Sequence, residues 1–109
     1  MATFKTNIST PEALVFNEDV ESLVVPGTGG RFGVLAGHAP MIGALSPGVL
    51  KVSAAGQATF FAVGKGMVEV TRQGVSLMTG FAFRAQNEAD ARQYLAKLAP
   101  RAQAPAAQK

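Results

Sequence analysis

The chain has 109 residues, of which 48% are hydrophobic and 16% charged, and its formal net charge is +3. This length and apolar content are typical of one folded domain and argue against a disordered chain. The lack of cysteine excludes disulfide bonds and thiolate metal sites. No apolar run approaches the roughly 20 residues of a membrane-spanning helix. The first residues, MATFK, lack the apolar core of a signal peptide. We therefore expect a soluble protein that stays in the compartment where it is made.

The ten lysine and arginine residues are spread along the chain, and no two of them are adjacent. A nucleic-acid-binding surface needs basic residues clustered on one face or along one helix. The spread is typical of a solvated surface, so the sequence predicts no nucleic acid partner and argues against a nucleic-acid-binding barrel.

Short apolar or alternating segments separated by turn residues run through most of the chain. They predict about ten strands, at residues 4–8, 13–16, 20–25, 32–35, 41–45, 49–53, 58–63, 67–71, 75–79 and 81–84. The polar run Asn17–Glu18–Asp19 predicts a turn after the second strand, and Pro26-Gly27 predicts the end of the third. Many short strands at this spacing indicate a mainly β fold, an antiparallel β-sandwich or flattened barrel.

The hydrophobic period changes from two to about 3.6 after Gln86. Asn87 is a good helix N-cap, and one apolar stripe follows it, formed by Ala91, Tyr94, Leu95 and Leu98. Pro100 disfavours a helical conformation at the residue before it, which predicts the end of the helix. The sequence thus predicts a β domain at 1–86, a short C-terminal helix at 87–99 and a disordered tail at 100–109.

Residues 25–52 are rich in glycine and proline and contain the only histidine, His38. A catalytic or metal-binding histidine needs acidic or further histidine partners. We expect instead that its ring nitrogens hydrogen-bond the backbone and fix the turn before Pro40. The glycine-rich run 27–33 lacks the sixth-position glycine of a dinucleotide loop, since Phe32 stands there, and it lacks a Walker A motif. No catalytic, cofactor-binding or metal-binding residue is predicted.

Phe60 and Phe61 are consecutive in a predicted strand, so their side chains point to opposite faces. Core packing explains most of the seven phenylalanines better than base stacking does. One ring of this pair faces away from the core unless both faces of the sheet are covered. It is therefore a candidate contact to a partner.

Several segments in order resemble the epsilon subunit of F-type ATP synthase. They are T-P-E at 10–12 with V-F at 15–16, G-V-L-A-G-H-A-P at 33–40, A-L-S-P-G-V-L at 44–50 and G-M-V-E-V at 66–70. The resemblance runs from about residue 4 to residue 92. It implies a β-sandwich that acts as a non-catalytic rotor subunit at the foot of the central stalk. Such a subunit links gamma to the membrane c-ring, couples ion translocation to ATP synthesis, and meets the alpha and beta subunits of the headpiece only indirectly. The resemblance also implies a peripheral location on the cytoplasmic face of a bacterial inner membrane, with no cofactor.

The resemblance also implies where partners bind. The loops that match c-ring-facing positions are formed by Gly27, Thr28, Gly29, Gly30 and Arg31 and by Gly37, His38, Ala39, Pro40, Met41 and Ile42. The candidates for contact with another subunit or with the helix are Phe60, Phe61, Glu69, Tyr94, Leu95 and Leu98.

Two positions depart from the family pattern. Arg31 stands where members commonly carry an acidic residue, so we expect a carboxylate or neutral group on the partner loop. The helical region is short, which implies a reduced or absent inhibitory function. Ala89 stands three residues before Arg92, where ATP-sensing members carry Asp, so the resemblance does not extend to an ATP site.

Two other classes of function compete with the rotor subunit. A free-standing sandwich that binds a ligand or carbohydrate would need a concave polar-aromatic patch, and the chain has no tryptophan and one tyrosine. A small enzyme would need an acid–base constellation, which the sequence does not show.

Overall fold

The computed structural model describes the backbone of residues 2–107 and the side chains of residues 2–97. Ten strands precede one helix, so the predicted mainly β fold is confirmed. The strands are β1 (Phe4–Ser9), β2 (Leu14–Val20), β3 (Ser22–Gly27), β4 (Gly30–Leu35), β5 (Met41–Leu45), β6 (Gly48–Ala54), β7 (Gln57–Val63), β8 (Gly66–Val70), β9 (Gly74–Thr79) and β10 (Ala82–Ala85). The helix α1 is Glu88–Ala107.

The turns follow from residues that tolerate unusual backbone angles. The two-residue turn between β6 and β7 has φ of 53° at Ala55 and 77° at Gly56. Two positive φ values in a row are characteristic of the hairpin turn whose twist matches the flanking strands. The positive φ of Ala55 is therefore a local requirement of this turn. The turn sets the register of β6 and β7, which runs from Gly48↔Val63 to Ala54↔Gln57.

The strands form one sheet that divides into two halves. The first half has the order β4-β3-β6-β7-β10, and the second has β5-β8-β9-β1-β2. The halves join where β3 pairs with β5 through a single pair, Gly27↔Leu45. All pairs are antiparallel except β1 with β9, which run parallel. The sheet therefore folds back on itself as a barrel-like sandwich.

One hydrophobic core fills the space between the two halves. Phe61 of the first half is 1% exposed, and its ring meets Phe16 of the second half edge-on at 5.5 Å between centroids. Other core residues come from both halves: Ile8, Val20, Leu23, Val25, Val34, Leu45, Leu50, Val52, Val63, Val68, Val70, Val75 and Leu77. Burial of these apolar side chains is the main force that holds the halves together.

Helix α1 lies against the outer face of the first half. Asn87 caps it as predicted, since its Oδ1 accepts a hydrogen bond from the Asp90 N–H at 2.8 Å. Ala91 is fully buried, and Leu95 packs with it against Phe60. The Tyr94 ring stacks on Phe83 at 5.7 Å and 12°. Most of the stability of a helix in a protein comes from packing of its apolar face, so this contact holds the helix in place.

Two predictions of local structure were wrong. Asn17, Glu18 and Asp19 do not form a turn, because they belong to β2 and pair with Asn7, Thr6 and Lys5 of β1. All three are exposed, and an exposed strand at the end of a sheet accepts polar side chains without cost.

The helix also does not end before Pro100, because α1 continues to Ala107. A proline inside a helix removes one N–H donor, here the donor to the Ala96 carbonyl. The segment after it is rich in alanine, which has the highest helix propensity. Residues 100–107 of the expected disordered tail are thus helical, and residues 108–109 lie outside the described part of the chain.

Candidate functional site

Three strands of the second half, β5, β8 and β9, carry exposed apolar side chains on its outer face. Residues on β5, β8 and β9 alternate between the core and this face, which brings their outward side chains side by side. We call the resulting surface the methionine face, and it consists of Ile42, Ala44, Met67, Glu69, Ser76 and Met78. The cross-strand pairs Ala44↔Met67 and Met67↔Met78 form its centre.

The apolar side chains of the methionine face are largely in water. Ile42 is 66% exposed, Met67 47% and Met78 49%. Leu14 and Val15 at the start of β2 are exposed as well, and they lie beyond β1 on the same half of the sheet. Exposed apolar surfaces of this kind are found at interaction sites and at ligand-binding grooves.

A groove extends the methionine face at one end. It has a volume of about 390 Å³ beside Met78 and is lined by Ser9, Thr10, Pro11, Lys65, Gly66, Thr79 and Gly80. The lining carries one charged side chain, Lys65. The groove can receive an apolar side chain of a partner, because methionine side chains adapt to the shape of what they bind.

The β3–β4 hairpin contains the first predicted partner loop. Thr28, Gly29, Gly30 and Arg31 are all exposed, and Gly27 is half-buried. The Thr28 N–H donates to the Ala44 carbonyl at 3.0 Å, so the hairpin is tied to the far end of β5. The hairpin presents its backbone and one cation to solvent.

The second predicted loop lies at the opposite end of β4. Gly37 has φ of 85°, which permits the turn there, and the His38 N–H donates to the Leu35 carbonyl at 3.0 Å. The His38 Nδ1 lies 2.7 Å from the Ala39 carbonyl. A carbonyl only accepts, so Nδ1 carries the proton. The expected backbone role of His38 is confirmed, and the two predicted loops are separated by the length of β4.

A cavity of about 410 Å³ adjoins the His38 turn. Phe4, Val34, Val70 and Val75 supply apolar lining, and His38, Thr71 and Arg72 supply polar groups. It holds no carboxylate, and within the described residues no three His, Cys, Asp or Glu side chains are grouped to hold a metal ion. Phe4 is the one phenylalanine in its lining, and the lining contains neither tyrosine nor tryptophan.

The remaining predicted contact residues have mixed roles. Phe61 is in the core, whereas Phe60 on the opposite face packs under α1 with Leu95. Tyr94 holds the helix through its stack on Phe83. Glu69 lies on the methionine face between Ile42 and Ser76. The side chain of Leu98 lies outside the described residues.

Sequence reasoning missed Met67, Met78 and Ala44, the centre of the methionine face. The signal that could have found them is the alternation within β8 and β9. Met67 and Met78 occupy positions where a strand with one wet face carries polar residues.

The start of α1 carries the one ion pair among the side chains of residues 2–97, between Arg92 and Glu88. The hydrogen bond from Arg92, together with its charge, holds the pKa of the Glu88 carboxyl below its ordinary value, and Arg31 and Lys51 add to this at longer range. Arg31 therefore has no ion-pair partner within that range.

Of the described elements, α1 is the one helix, and its composition is too polar for it to cross a bilayer. Residues 3–85 match the family model of the ATP synthase delta/epsilon chain, beta-sandwich domain.

Curated relatives carry the same kind of name. The chain is 42% identical over 82 residues to "ATP synthase epsilon chain 1" of Nitrobacter hamburgensis, and this match covers 75% of the chain and 61% of that protein. It is 42% identical over 82 residues to "ATP synthase epsilon chain" of Nitrobacter winogradskyi, with the same coverage. The chain thus spans about 61% of the length of these relatives.

Two solved structures share the fold. One is the mitochondrial ATP synthase of Euglena gracilis, OSCP/F1/c-ring, with a TM-score of 0.75 at 24% identity over 95% of this chain and 66% of that one. The other is the central stalk/c-ring of the Tetrahymena thermophila mitochondrial ATP synthase, with a TM-score of 0.63 at 17% identity over 73% of this chain and 65% of that one. On the family model and the relatives together, the chain belongs to the epsilon chain family of ATP synthase.

Proposed function

We propose that the chain is a non-catalytic rotor subunit of an F-type ATP synthase, which links gamma to the c-ring and couples ion translocation to ATP synthesis. Its family membership supports this, and its structural neighbours come from an F1/c-ring assembly and a central stalk/c-ring assembly. The observation that carries the proposal is the methionine face. A sandwich with one apolar face left in water is built to be attached to another protein.

We assign the methionine face to gamma. Ile42, Met67 and Met78 supply the apolar centre, and Glu69 and Ser76 supply polar groups beside it. An apolar centre with a polar rim is the usual anatomy of a stable protein interface. The groove beside Met78 offers a pocket for one side chain of gamma.

The c-ring contact then falls on one end of the sandwich. The hairpin Gly27–Arg31 and the turn Gly37–Ile42 lie at opposite ends of β4, so one flat ring surface cannot meet both. We propose that the hairpin faces the ring, because its tip is fully exposed and carries the free charge of Arg31. The turn then lies on the gamma side, where Ile42 already belongs to the methionine face.

Reduced inhibition of the headpiece is part of the same proposal. Helix α1 is docked on its own sandwich through Ala91 and Leu95 and through the Tyr94–Phe83 stack. A helix held in this way must first lose those contacts before it can extend toward the headpiece. The proposed location is peripheral, at the cytoplasmic face of a bacterial inner membrane, through the complex alone.

Co-purification with the gamma subunit of the same organism tests the proposal. We expect a stable one-to-one complex with the wild-type chain. The double variant Met67→Asp, Met78→Asp places two charges in the interface, and we expect at least a hundredfold loss of affinity. The matched control, Gln57→Asp with Ala58→Asp, adds the same charges at an exposed site on β7 and is expected to bind gamma normally.

The outcomes separate the two levels of the proposal. If the wild-type chain does not bind gamma, the rotor function is wrong. If the chain binds but the Met67/Met78 variant binds equally well, the function stands and the assigned face is wrong. A circular dichroism melt of each variant checks that a loss of binding does not reflect unfolding.

A further inference from the structure

The sheet ends in three strands that have a neighbour on one side only, β10, β2 and β4. An open strand edge presents unpaired backbone N–H and C=O groups and invites another strand, so proteins usually protect it. The strand β10 has four residues and lies under α1, which contacts it. The strand β2 carries Glu18 and Asp19, and it also approaches β6 of the other half. These two edges are protected.

The edge of β4 has no such protection. Among the described residues it pairs with β3 alone, over its full length of six residues. It contains no proline, and its single charge, Arg31, lies near one end. Leu35 at the other end is 65% exposed. Gly33 between them has no side chain to cover the edge.

The register shows which backbone groups are free. Thr28 and Gly29 form a two-residue turn, so the closing pair Gly27↔Gly30 exchanges hydrogen bonds and every second pair after it does not. The pair Pro26↔Arg31 is thus not hydrogen-bonded. The structure agrees, because the Pro26 carbonyl accepts from the Ser46 N–H at 2.9 Å, on the side away from β4.

By the same alternation, Arg31, Gly33 and Leu35 turn their N–H groups toward the open edge. These three residues are exposed, whereas Phe32 and Val34 between them are half-buried and buried. Along one face of this edge, a positive charge at Arg31 is followed by an open space at Gly33 and an apolar side chain at Leu35. A Cβ placed on Gly33 would meet only the Leu23 carbonyl oxygen, at 3.7 Å, so the space above Gly33 is open.

We propose that an extended segment of a partner polypeptide adds to β4 as an antiparallel strand, with a carboxylate opposite Arg31, a large apolar or aromatic side chain over Gly33 and an apolar residue opposite Leu35. Backbone hydrogen bonds to residues 31 and 33 and to the Leu35 N–H supply affinity, since the Leu35 carbonyl already accepts from the His38 N–H, and the three side-chain positions supply specificity. A large side chain on the neighbouring strand, placed over a strand glycine, covers backbone that is otherwise exposed to solvent. The proposal concerns the first half of the sheet and does not rest on the gamma contact at the methionine face.

A second copy of this chain fits the edge poorly. Antiparallel pairing of two β4 strands about Gly33 puts Arg31 of each copy opposite Leu35 of the other. A charge is then paired with an apolar side chain twice, and two glycines face each other with no side chain between them. Arg31 has no ion-pair partner in the described part of its own chain, so a partner strand with an acidic residue is the better complement.

The test uses the full chain, labelled with ¹⁵N, and the synthetic peptide T-L-T-F-T-E-T with blocked ends. Read antiparallel to β4, its leucine, phenylalanine and glutamate lie opposite Leu35, Gly33 and Arg31. We expect chemical-shift changes centred on the amides of residues 31, 33 and 35, with slower amide exchange at these sites. Shifts spread evenly over the surface, or none at millimolar peptide, overturn the proposal.

Two variants of Gly33 provide a matched pair. Gly33→Pro removes the outward N–H but no bond to β3, just as Pro26 is tolerated in β3, and we expect at least tenfold weaker binding. Gly33→Ala keeps the N–H, and its Cβ meets no close atom, so binding is expected within threefold of wild type. Equal binding to both variants overturns the proposal.

A charge exchange keeps the test valid if Gly33→Pro does not fold. With Arg31→Glu, the peptide T-L-T-F-T-E-T is expected to bind several-fold more weakly, and T-L-T-F-T-K-T to bind several-fold better, at low salt. No change in preference contradicts the assigned register. Sedimentation of the free chain covers the last outcome: a dimer that Gly33→Pro dissociates would assign the edge to a second copy and overturn the partner strand.

Discussion

The two outer faces of the sandwich are built alike, but in the described part of the chain a helix covers only one of them. Each face is formed by five strands over the same core, and each presents apolar side chains away from that core. On the first half, α1 covers Phe60 and Ala62, and Ala62 is fully buried. On the second half, Met67 and Met78 remain about half exposed. The chain thus covers one face itself and leaves the other exposed, and we propose that a second protein covers it.

The difference separates residues that stabilise the fold from residues that serve assembly. Apolar burial stabilises a protein by about 25 cal/mol for each Å² removed from water. Phe60 gains this within the folded chain, whereas Met67 and Met78 gain it only in a complex. Mutations on the two faces are therefore expected to act on different measurements.

Removal of the helix would make the two faces equivalent. Deletion of residues 87–109 uncovers Val49, Phe60 and Ala62, and we expect a loss of about 3 kcal/mol in the free energy of unfolding, given the apolar side chains exposed. Urea denaturation measures the loss, and increased fluorescence of a hydrophobic dye measures the new surface. An unchanged urea midpoint would show that the helix contributes nothing to the sandwich.

A matched pair of single substitutions sharpens the contrast. Phe60→Ser is expected to cost about 2 kcal/mol, because the half-buried ring leaves a gap under α1. Met78→Ser, on an exposed position, is expected to stay within about 0.5 kcal/mol of wild type. Urea unfolding of both variants under one condition gives the comparison. Equal losses would mean that the methionine face is part of the folding core.

The cap of α1 tests how the covered face is held. Asn87→Ala removes the acceptor for the Asp90 N–H, and we expect a loss of about 1 kcal/mol. Amide exchange across the first turn of the helix is expected to speed up, while exchange in β8 and β9 stays as in wild type. Asn87→Asp retains the acceptor and serves as the control.

The smallest expected effect is a pH dependence of the stability of the covered face. Arg92 lowers the pKa of the Glu88 carboxyl in the folded chain. The ionised carboxylate therefore contributes to the free energy of unfolding above the ordinary carboxyl pKa, and this contribution is lost as pH falls through the lowered value. Titration followed by carboxyl NMR measures this, and Arg92→Gln is expected to return the pKa of Glu88 toward its ordinary value. A pKa that does not move in this variant would assign the shift to another cause.

Local chemistry made most of the fold predictable. Alternation placed the strands, and Asn87 marked the start of the helix, because both signals depend on residues near in sequence. The polar run at residues 17–19 was misjudged, since only the sheet order shows that β2 is an exposed end strand. The continuation of α1 past Pro100 was likewise not visible in the proline alone.

The candidate site was predictable only in part. Ile42 and Glu69 were identified through the family resemblance, but Met67 and Met78 were not, because methionine itself does not mark an exposed position and only the alternation of their strands does. The position of α1 follows from the pairing of β10 with β7, because the helix begins directly after β10 and covers the outer face of that half of the sheet. This pairing joins strands that are distant in sequence. The two predicted partner loops were assigned to one partner through the family resemblance, whereas an intervening strand, β4, carries them apart.

The parallel pairing of β1 with β9 has a consequence for synthesis of the chain. Lys5 pairs with Gly74, so the first strand waits for a strand made 69 residues later. At ribosomal rates of about 5 to 20 residues per second, the delay is roughly 3 to 14 seconds. Until then, β1 and β2 form at most an isolated hairpin, which is marginal in water. The half of the sandwich that carries the methionine face therefore cannot close until β9 emerges, and the nascent chain holds an unfinished apolar surface until then.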